Sequence, residues 1–102
     1  IYIGAVQQDS PDYPDCRPEY YEAYNKLVEV GTKPSTNIEV ITPLINMRRS
    51  DIVKKGMEIG APLQLSWSCY ERNDKACGQC QSCRLRLKAF EAAGFKDKID
   101  YI

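Results

Sequence analysis

The 102-residue sequence predicts an α/β fold with an open parallel sheet, followed by a cysteine knuckle and a C-terminal helix. Three observations carry that prediction. Two short β-branched apolar runs, IYIGAV and IEVIT, alternate with segments whose apolar residues recur at helical spacing, the order expected of strands joined by helical crossovers. Proline and glycine punctuate the chain between these segments, where regular structure has to stop. Four of the five cysteines crowd into fifteen residues, CYERNDKACGQCQSC, from Cys69 to Cys83.

Each element has its own signal. IYIGAV fits a strand buried on both faces. QQDSPDYPDCRP follows with three prolines and three aspartates, which excludes regular structure there. Pro18 suits the first turn of a helix, because its missing N–H would have no intrahelical partner anyway. Tyr20, Tyr24 and Leu27, with Tyr21 and Val28 beside them, set the helical period, and Gly31 supplies the stop. GTKPSTN connects to the second strand, IEVIT. MRRSDIVKKGMEIG then reads as an amphipathic helix with Ile52, Val53, Met57 and Ile59 on one face, ending at Gly60 and weakened by Gly56 inside it. The last helix covers QSCRLRLKAFEAAG, with Cys83, Leu87 and Phe90 on one face and Gly94 just past its end.

Fourteen basic residues balance fourteen acidic ones, so no bulk field draws the chain to nucleic acid or an anionic membrane. No apolar run approaches the roughly 18–20 residues that span a bilayer. IYIGAVQQD has neither the basic start nor the cleavage site of a secretory signal. A cytoplasmic protein is expected. The chain starts at Ile1, without Met, inside a predicted buried strand, and two strands make a poor sheet; a missing N-terminal part is therefore expected. The organisation expected is residues 1–66 as the C-terminal part of an α/β domain, including a loop at 9–19, and residues 67–102 as the knuckle and final helix.

The cysteine spacing is C-x7-C-x2-C-x2-C, through Cys69, Cys77, Cys80 and Cys83. Four thiolates on a tight turn can close a tetrahedral shell around zinc, with Zn–S near ~2.3 Å. Gly78 relieves the turn, and Lys75, Arg84 and Arg86 flank it to offset the negative charge of a tetrathiolate. An iron–sulfur cluster is a rival, since C-x2-C-x2-C also occurs in ferredoxin-type sites. A redox C-x-x-C pair leaves two cysteines unused, and disulfides do not suit a reducing compartment. The chain has no histidine, so only cysteine or carboxylate can complete a site. A closed zinc site would be structural, holding the last helix against the loop after Trp67.

DSPDYPDCRPE, from Asp9 to Glu19, directly follows the first predicted strand, where ligands bind in open α/β sheets. Asp9, Asp12, Asp15, Arg17, Tyr13 and Cys16 gather there; a proline-stiffened surface turn is the plain alternative. Without histidine, Cys16 has no Cys–His partner, and a buried small hydrophobe is its simpler reading.

YPDCRPEYYEA, ITPLINMRRSDI, LSWSCY and ACGQCQSCRLRLKAFEAAG, in that order, closely resemble the C-terminal part of the 7-cyano-7-deazaguanine synthases. That family belongs to the PP-loop, or N-type ATP pyrophosphatase, superfamily, and the resemblance runs from Ile1 to Tyr101. It implies an adenine nucleotide alpha hydrolase-like fold. It also implies an ATP-dependent ligase that converts 7-carboxy-7-deazaguanine and ammonia to the nitrile preQ0, in queuosine biosynthesis, a tRNA modification pathway. Mg2+ would accompany the ATP phosphates. Cys69, Cys77, Cys80 and Cys83 match the family's zinc ligands, one Zn2+ per chain. Asp9, Tyr13, Asp15, Cys16 and Arg17 match its D…YPDCR loop, taken to border the substrate. There a carboxylate can read the guanine-like edge and an arginine can pair with the substrate carboxylate. Arg49 stands where the family usually has lysine, which changes the geometry of the charge; no catalytic residue is assigned. The family's S-G-G-x-D-S loop, whose amides cradle pyrophosphate, occurs nowhere in the sequence. The 102-residue chain by itself is therefore expected to be inactive, with the rest supplied by the missing part or another chain; a homodimer is compatible with the reading.

Two other functions compete. A zinc-knuckle RNA-binding module would use Arg84, Arg86 and Lys88, but zero net charge and the lack of an aromatic platform oppose it. An iron–sulfur electron carrier would announce itself by colour.

Overall fold

Pro18 opens the first helix, α1 (Pro18–Gly31), and Arg17 before it is extended, with φ −83° and ψ 145°, as the clash with a following proline ring requires. A computed structural model describes all residues, 1–102, and two compact units divide them, Ile1–Arg48 and Arg49–Ile102.

In the first unit, the segments around Tyr2 and Ile41 run parallel and meet in one bridge. The Ile41 N–H donates to the Ile1 carbonyl at 2.7 Å, and Ile41 accepts from the Ile3 N–H at 3.0 Å. Further along, the Gln7 N–H reaches the Ile45 carbonyl at 2.8 Å. The expected parallel pairing is present, but as a bridge rather than as two full strands. Nor is IYIGAV buried on both faces: Ile1 is 72 % and Tyr2 76 % exposed. Burial on both faces takes a strand on either side and a layer above and below, and these 48 residues offer one neighbour and one helix.

The face that α1 turns inward is Tyr21, Asn25 and Val28, while Tyr20, Tyr24 and Leu27 are exposed. Asn25 explains the choice. Its amide donates to the Val40 carbonyl at 2.9 Å and accepts from the Val40 N–H at 2.7 Å. It thereby satisfies the two backbone groups that point away from the Tyr2 side. Tyr21, Val40 and Ile45 form the core, with Ala5 against them. Gly31 ends α1 without a left-handed turn; Thr32 stops the helix instead, extended and donating its hydroxyl to the Val28 carbonyl at 2.8 Å.

The second unit is built on α2 (Arg49–Glu58) and α3 (Gln81–Ala93). Val53, Ala89 and Phe90 are its core, with Met57, Leu63 and Ala93 packed around them. Ile59, expected on the buried face of α2, lies past the helix end and is exposed; Leu87 of α3 is exposed as well. Gly56 is more than a weak point in α2: a Cβ there would lie 3.2 Å from both Leu63 methyl carbons. Its missing side chain is the seat on which Leu63 rests. Both helices stop by the same device. Gly60 and Gly94 have φ of 72° and 80°. In each case the glycine N–H bonds three residues back and the next N–H five back, Ala61 to Gly56 at 2.8 Å and Phe95 to Phe90 at 3.0 Å. No helix is long and apolar enough to cross a membrane.

Candidate metal centre

Cys77, Gly78, Gln79 and Cys80 form a tight knuckle, because Gly78 takes φ 71°, a conformation other residues adopt only under strain. The turn aims the Gln79 and Cys80 N–H groups at the Cys77 sulfur, at 3.4 and 3.2 Å. Cys80 then serves as the N-cap of α3, its Sγ accepting from the Cys83 N–H at 3.4 Å. Cys69 arrives from the loop after the 3-10 turn Leu63–Leu65, and its Sγ accepts from the Cys77 N–H at 3.5 Å. All four sulfurs lie within 4.8 Å of one another, and Cys77 and Cys83 are 3.9 Å apart. A tetrahedron with ~2.3 Å arms has edges of roughly 3.8 Å. The cluster is therefore close to the size that one ion fills.

The donor set suits a cation. Backbone N–H groups aimed at sulfur favour thiolate over thiol. The Cys77 N–H lowers the Cys69 thiol to about 6, against the opposing effect of burial. The backbone N–H groups of Tyr70 and Cys83 lower Cys80. Cys83 goes the other way, pushed up to about 12 by burial. Cys69, Ala76 and Cys83 are buried together, with Cys77, Cys80, Ile99 and Tyr101 around them.

The flanking cations differ from the sequence expectation. Arg84 donates to the Gln79 carbonyl at 2.6 Å and braces the knuckle. Arg86 is engaged elsewhere, with Asp97. Arg72, which the spacing argument passed over, is close enough to Cys69 and Cys77 for their charge to contribute to its raised pKa, behind the larger effect of Asp74. It holds Asp74 through both oxygens, at 3.0 and 2.8 Å, and its carbonyl accepts from the Trp67 indole at 3.2 Å.

The loop residues expected at a substrate lie in the first unit. Asp9 ends one 3-10 turn, Gln7–Asp9, and its carbonyl accepts from the Asp12 and Tyr13 N–H groups at 3.2 and 2.9 Å. Asp15 and Cys16 belong to a second, Pro14–Cys16, and Arg17 caps α1. Tyr21 carries a raised pKa, first through burial and then through Cys16 and Asp15 nearby. A groove of about 390 Å³ opens at the C-terminal ends of the two parallel segments. Gln7, Gln8, Ser10 and Pro11 line one side and residues 45–48 the other. None of Asp9, Tyr13, Asp15, Cys16 and Arg17 lines this groove. Its glutamines, Asn46 and Arg48 escaped the sequence reading, although their place just after the apolar runs was the available signal.

What the second unit defines is a four-cysteine knuckle able to hold a metal ion, its sulfurs set on one turn, one helix N-terminus and one loop. The family model described as "Queuosine biosynthesis protein QueC" matches residues 1–94, and the chain belongs to that family. It is 59 % identical over 101 residues to a 7-cyano-7-deazaguanine synthase of Chlorobium phaeobacteroides, covering 99 % of this chain and 45 % of that protein. It is 58 % identical to the synthase of Campylobacter curvus, again over 45 % of its length. With that of Koribacter versatilis it shares 62 %, over 42 % of the relative. The chain thus spans less than half the length of these curated relatives.

Proposed function

We propose that the four cysteines hold one structural zinc ion, and that the chain acts as part of a cytoplasmic 7-cyano-7-deazaguanine synthase. The observation that carries this is the set of four sulfurs within 4.8 Å in a chain that belongs to the QueC family. A four-iron cluster would set a cube of iron and sulfide between the thiolates and hold them farther apart, so the spacing favours a single ion. With four protein ligands, zinc would have no open position for substrate; its part would be to fix the knuckle against α3. The RNA-binding alternative loses one of its three cations, since Arg86 is largely covered and paired with Asp97.

The reaction proposed is ATP-dependent. The carboxylate of 7-carboxy-7-deazaguanine is adenylylated with release of pyrophosphate, because a free carboxylate is a poor electrophile. Ammonia displaces AMP to give the amide. A second adenylylation activates the amide oxygen, and loss of AMP and a proton leaves the nitrile. Magnesium would screen the phosphates. The S-G-G-x-D-S loop that would hold them is not among these 102 residues, so the chain alone is proposed to be inactive. Asp9 and Asp15 are proposed to read the amino and ring N–H edge of the substrate, and Arg17 to pair with its carboxylate, with Tyr13 and Cys16 bordering it. None of these residues lines the groove of Gln7, Gln8, Ser10 and Pro11, so the placement rests on the match to the family's D…YPDCR loop.

Elemental analysis with a visible spectrum tests the metal: one zinc per chain and no colour is expected, and iron with sulfide overturns it. The full-length protein, given ATP, ammonia and the carboxylate, is expected to form the nitrile and AMP. Arg17→Ala in it raises KM for the carboxylate while zinc content stays at one; an unchanged KM removes Arg17 from the site.

A further inference from the structure

Asp97 is the one charged residue in the buried set, its side chain 1 % exposed, and the metal reading gives it no task. Both of its oxygens are occupied. Oδ1 accepts from Arg86 Nη2 at 3.0 Å and from the Ile99 N–H at 3.4 Å. Oδ2 accepts from Arg86 Nε and from the Tyr101 hydroxyl, the latter at 2.7 Å. Arg86, with its side chain 11 % exposed, also donates to the Leu63 carbonyl at 3.1 Å and the Ser66 hydroxyl at 2.9 Å.

These contacts tie together the segments that deliver the four cysteines. Leu63 and Ser66 lead into Cys69. Arg86 lies on α3, one turn past Cys83. The tail that Asp97 anchors runs back along the knuckle: the Ala76 N–H donates to the Asp100 carbonyl at 2.8 Å, and the Ile102 N–H donates to the Ala76 carbonyl at 3.0 Å. Ala76, 0 % exposed, directly precedes Cys77. The Tyr101 ring lies 3.6 Å from where a Cβ on Gly78 would stand. Tyr101 and Ile99 thus cover the apolar side of the thiolate cluster.

We propose that Arg86, Asp97 and Tyr101 form a latch that closes the C-terminal segment over the cysteine knuckle and thereby sets its metal affinity and metal release rate. These are positioning residues, acting on zinc through the chain segments that carry its ligands. Asp97 and Tyr101 lie beyond residue 94, where the match to the family model ends, but within the 101 residues aligned with the synthase relatives. The proposal rests on the metal reading above. Groups placed behind metal ligands typically change affinity by roughly 10–100-fold when removed, and an unpaired guanidinium left buried by loss of Asp97 would loosen all three segments together.

The test is zinc affinity and release rate, measured by competition with a chromophoric chelator at a temperature where circular dichroism shows each variant folded. Asp97→Asn is expected to weaken zinc binding roughly 10–100-fold. Tyr101→Phe, which keeps the ring over Gly78, is expected to fall between it and wild type. The apolar double variant Arg86→Met with Asp97→Leu leaves no buried charge alone; it should recover thermal stability yet still release zinc faster than wild type. Affinities and rates within about twofold of wild type in Asp97→Asn and the double variant would overturn the latch and leave the metal reading intact, whereas a wild-type chain that binds no zinc overturns both. If Asp97→Asn does not fold, hydrogen exchange on the wild type decides. By reciprocity of linkage, removing zinc should expose the Ala76 and Ile102 amides to exchange, and unchanged protection there would overturn the proposal.

Discussion

The two units are of similar length but are held by different means. Residues 1–48 depend on one helix, four buried side chains (Val6, Tyr21, Val40 and Ile45) and a handful of backbone bonds. Ile1, Tyr2, Leu27 and Val30 remain exposed around them. Residues 49–102 own a helix pair, a four-thiol cluster and a buried ion pair. Chains of this size rarely bury enough apolar surface to hold themselves by packing alone. The comparison teaches that the second unit closes by chemistry that reaches across loops, whereas the first has one polar side chain, Asn25, in that role.

The sharpest way to break the comparison is to remove the zinc proposed for the four thiols. A strong chelator, or Cys83→Ser, should unfold residues 49–102, because structural zinc supplies roughly 10–16 kcal/mol in small knuckles. Amide exchange should rise there and change little in residues 1–48; a uniform response would erase the distinction. Next in size is Phe90→Ala, which empties the centre of the helix pair. It should destabilise the second unit by about 3–5 kcal/mol in denaturant unfolding followed with zinc bound. Asn25→Ala sharpens the other side. It strips two hydrogen bonds from Val40 and leaves its backbone groups unsatisfied, for about 1–3 kcal/mol in the first unit, with zinc affinity unchanged.

The smallest effect is a pH dependence confined to the second unit. Burial alone would raise the Asp97 carboxyl, but hydrogen bonds from Arg86 and Tyr101 outweigh it and hold it below the usual value of 3.8. A carboxylate depressed in this way adds stability above its unfolded pKa, and that stability is lost as pH falls through the folded value. Wild type should therefore lose stability more steeply than Asp97→Asn below about pH 4, in acid unfolding monitored by circular dichroism. Parallel curves would remove the carboxylate from the account.

Much of the second unit was legible in the sequence. Cys69, Cys77, Cys80 and Cys83 were read as one cluster, and their sulfurs do come together. Gly60 and Gly94 were read as helix stops, and both take positive φ. Three misreadings have one origin. Tyr20, Tyr24 and Leu27, with Tyr21 and Val28 beside them, set the helical period and Asn25 was passed over because an apolar count penalises asparagine, yet the amide of Asn25 is what docks α1 on Val40. Gly56 read as a flaw because nothing local announces Leu63. Arg86 read as a cation near the cysteines because Asp97 lies eleven residues away.

The sequence by itself determined what acts over a turn or two: where α1 begins at Pro18, where α2 and α3 end, and which four thiols can share an ion. Steric limits on φ and the short reach between neighbouring residues decide such features before any packing occurs. Only the tertiary structure decided which helix face is buried, what fills the space beside Gly56, and which acid Arg86 holds. Those choices depend on groups brought together from distant points of the chain, where burial makes an unpaired amide or charge too costly to leave.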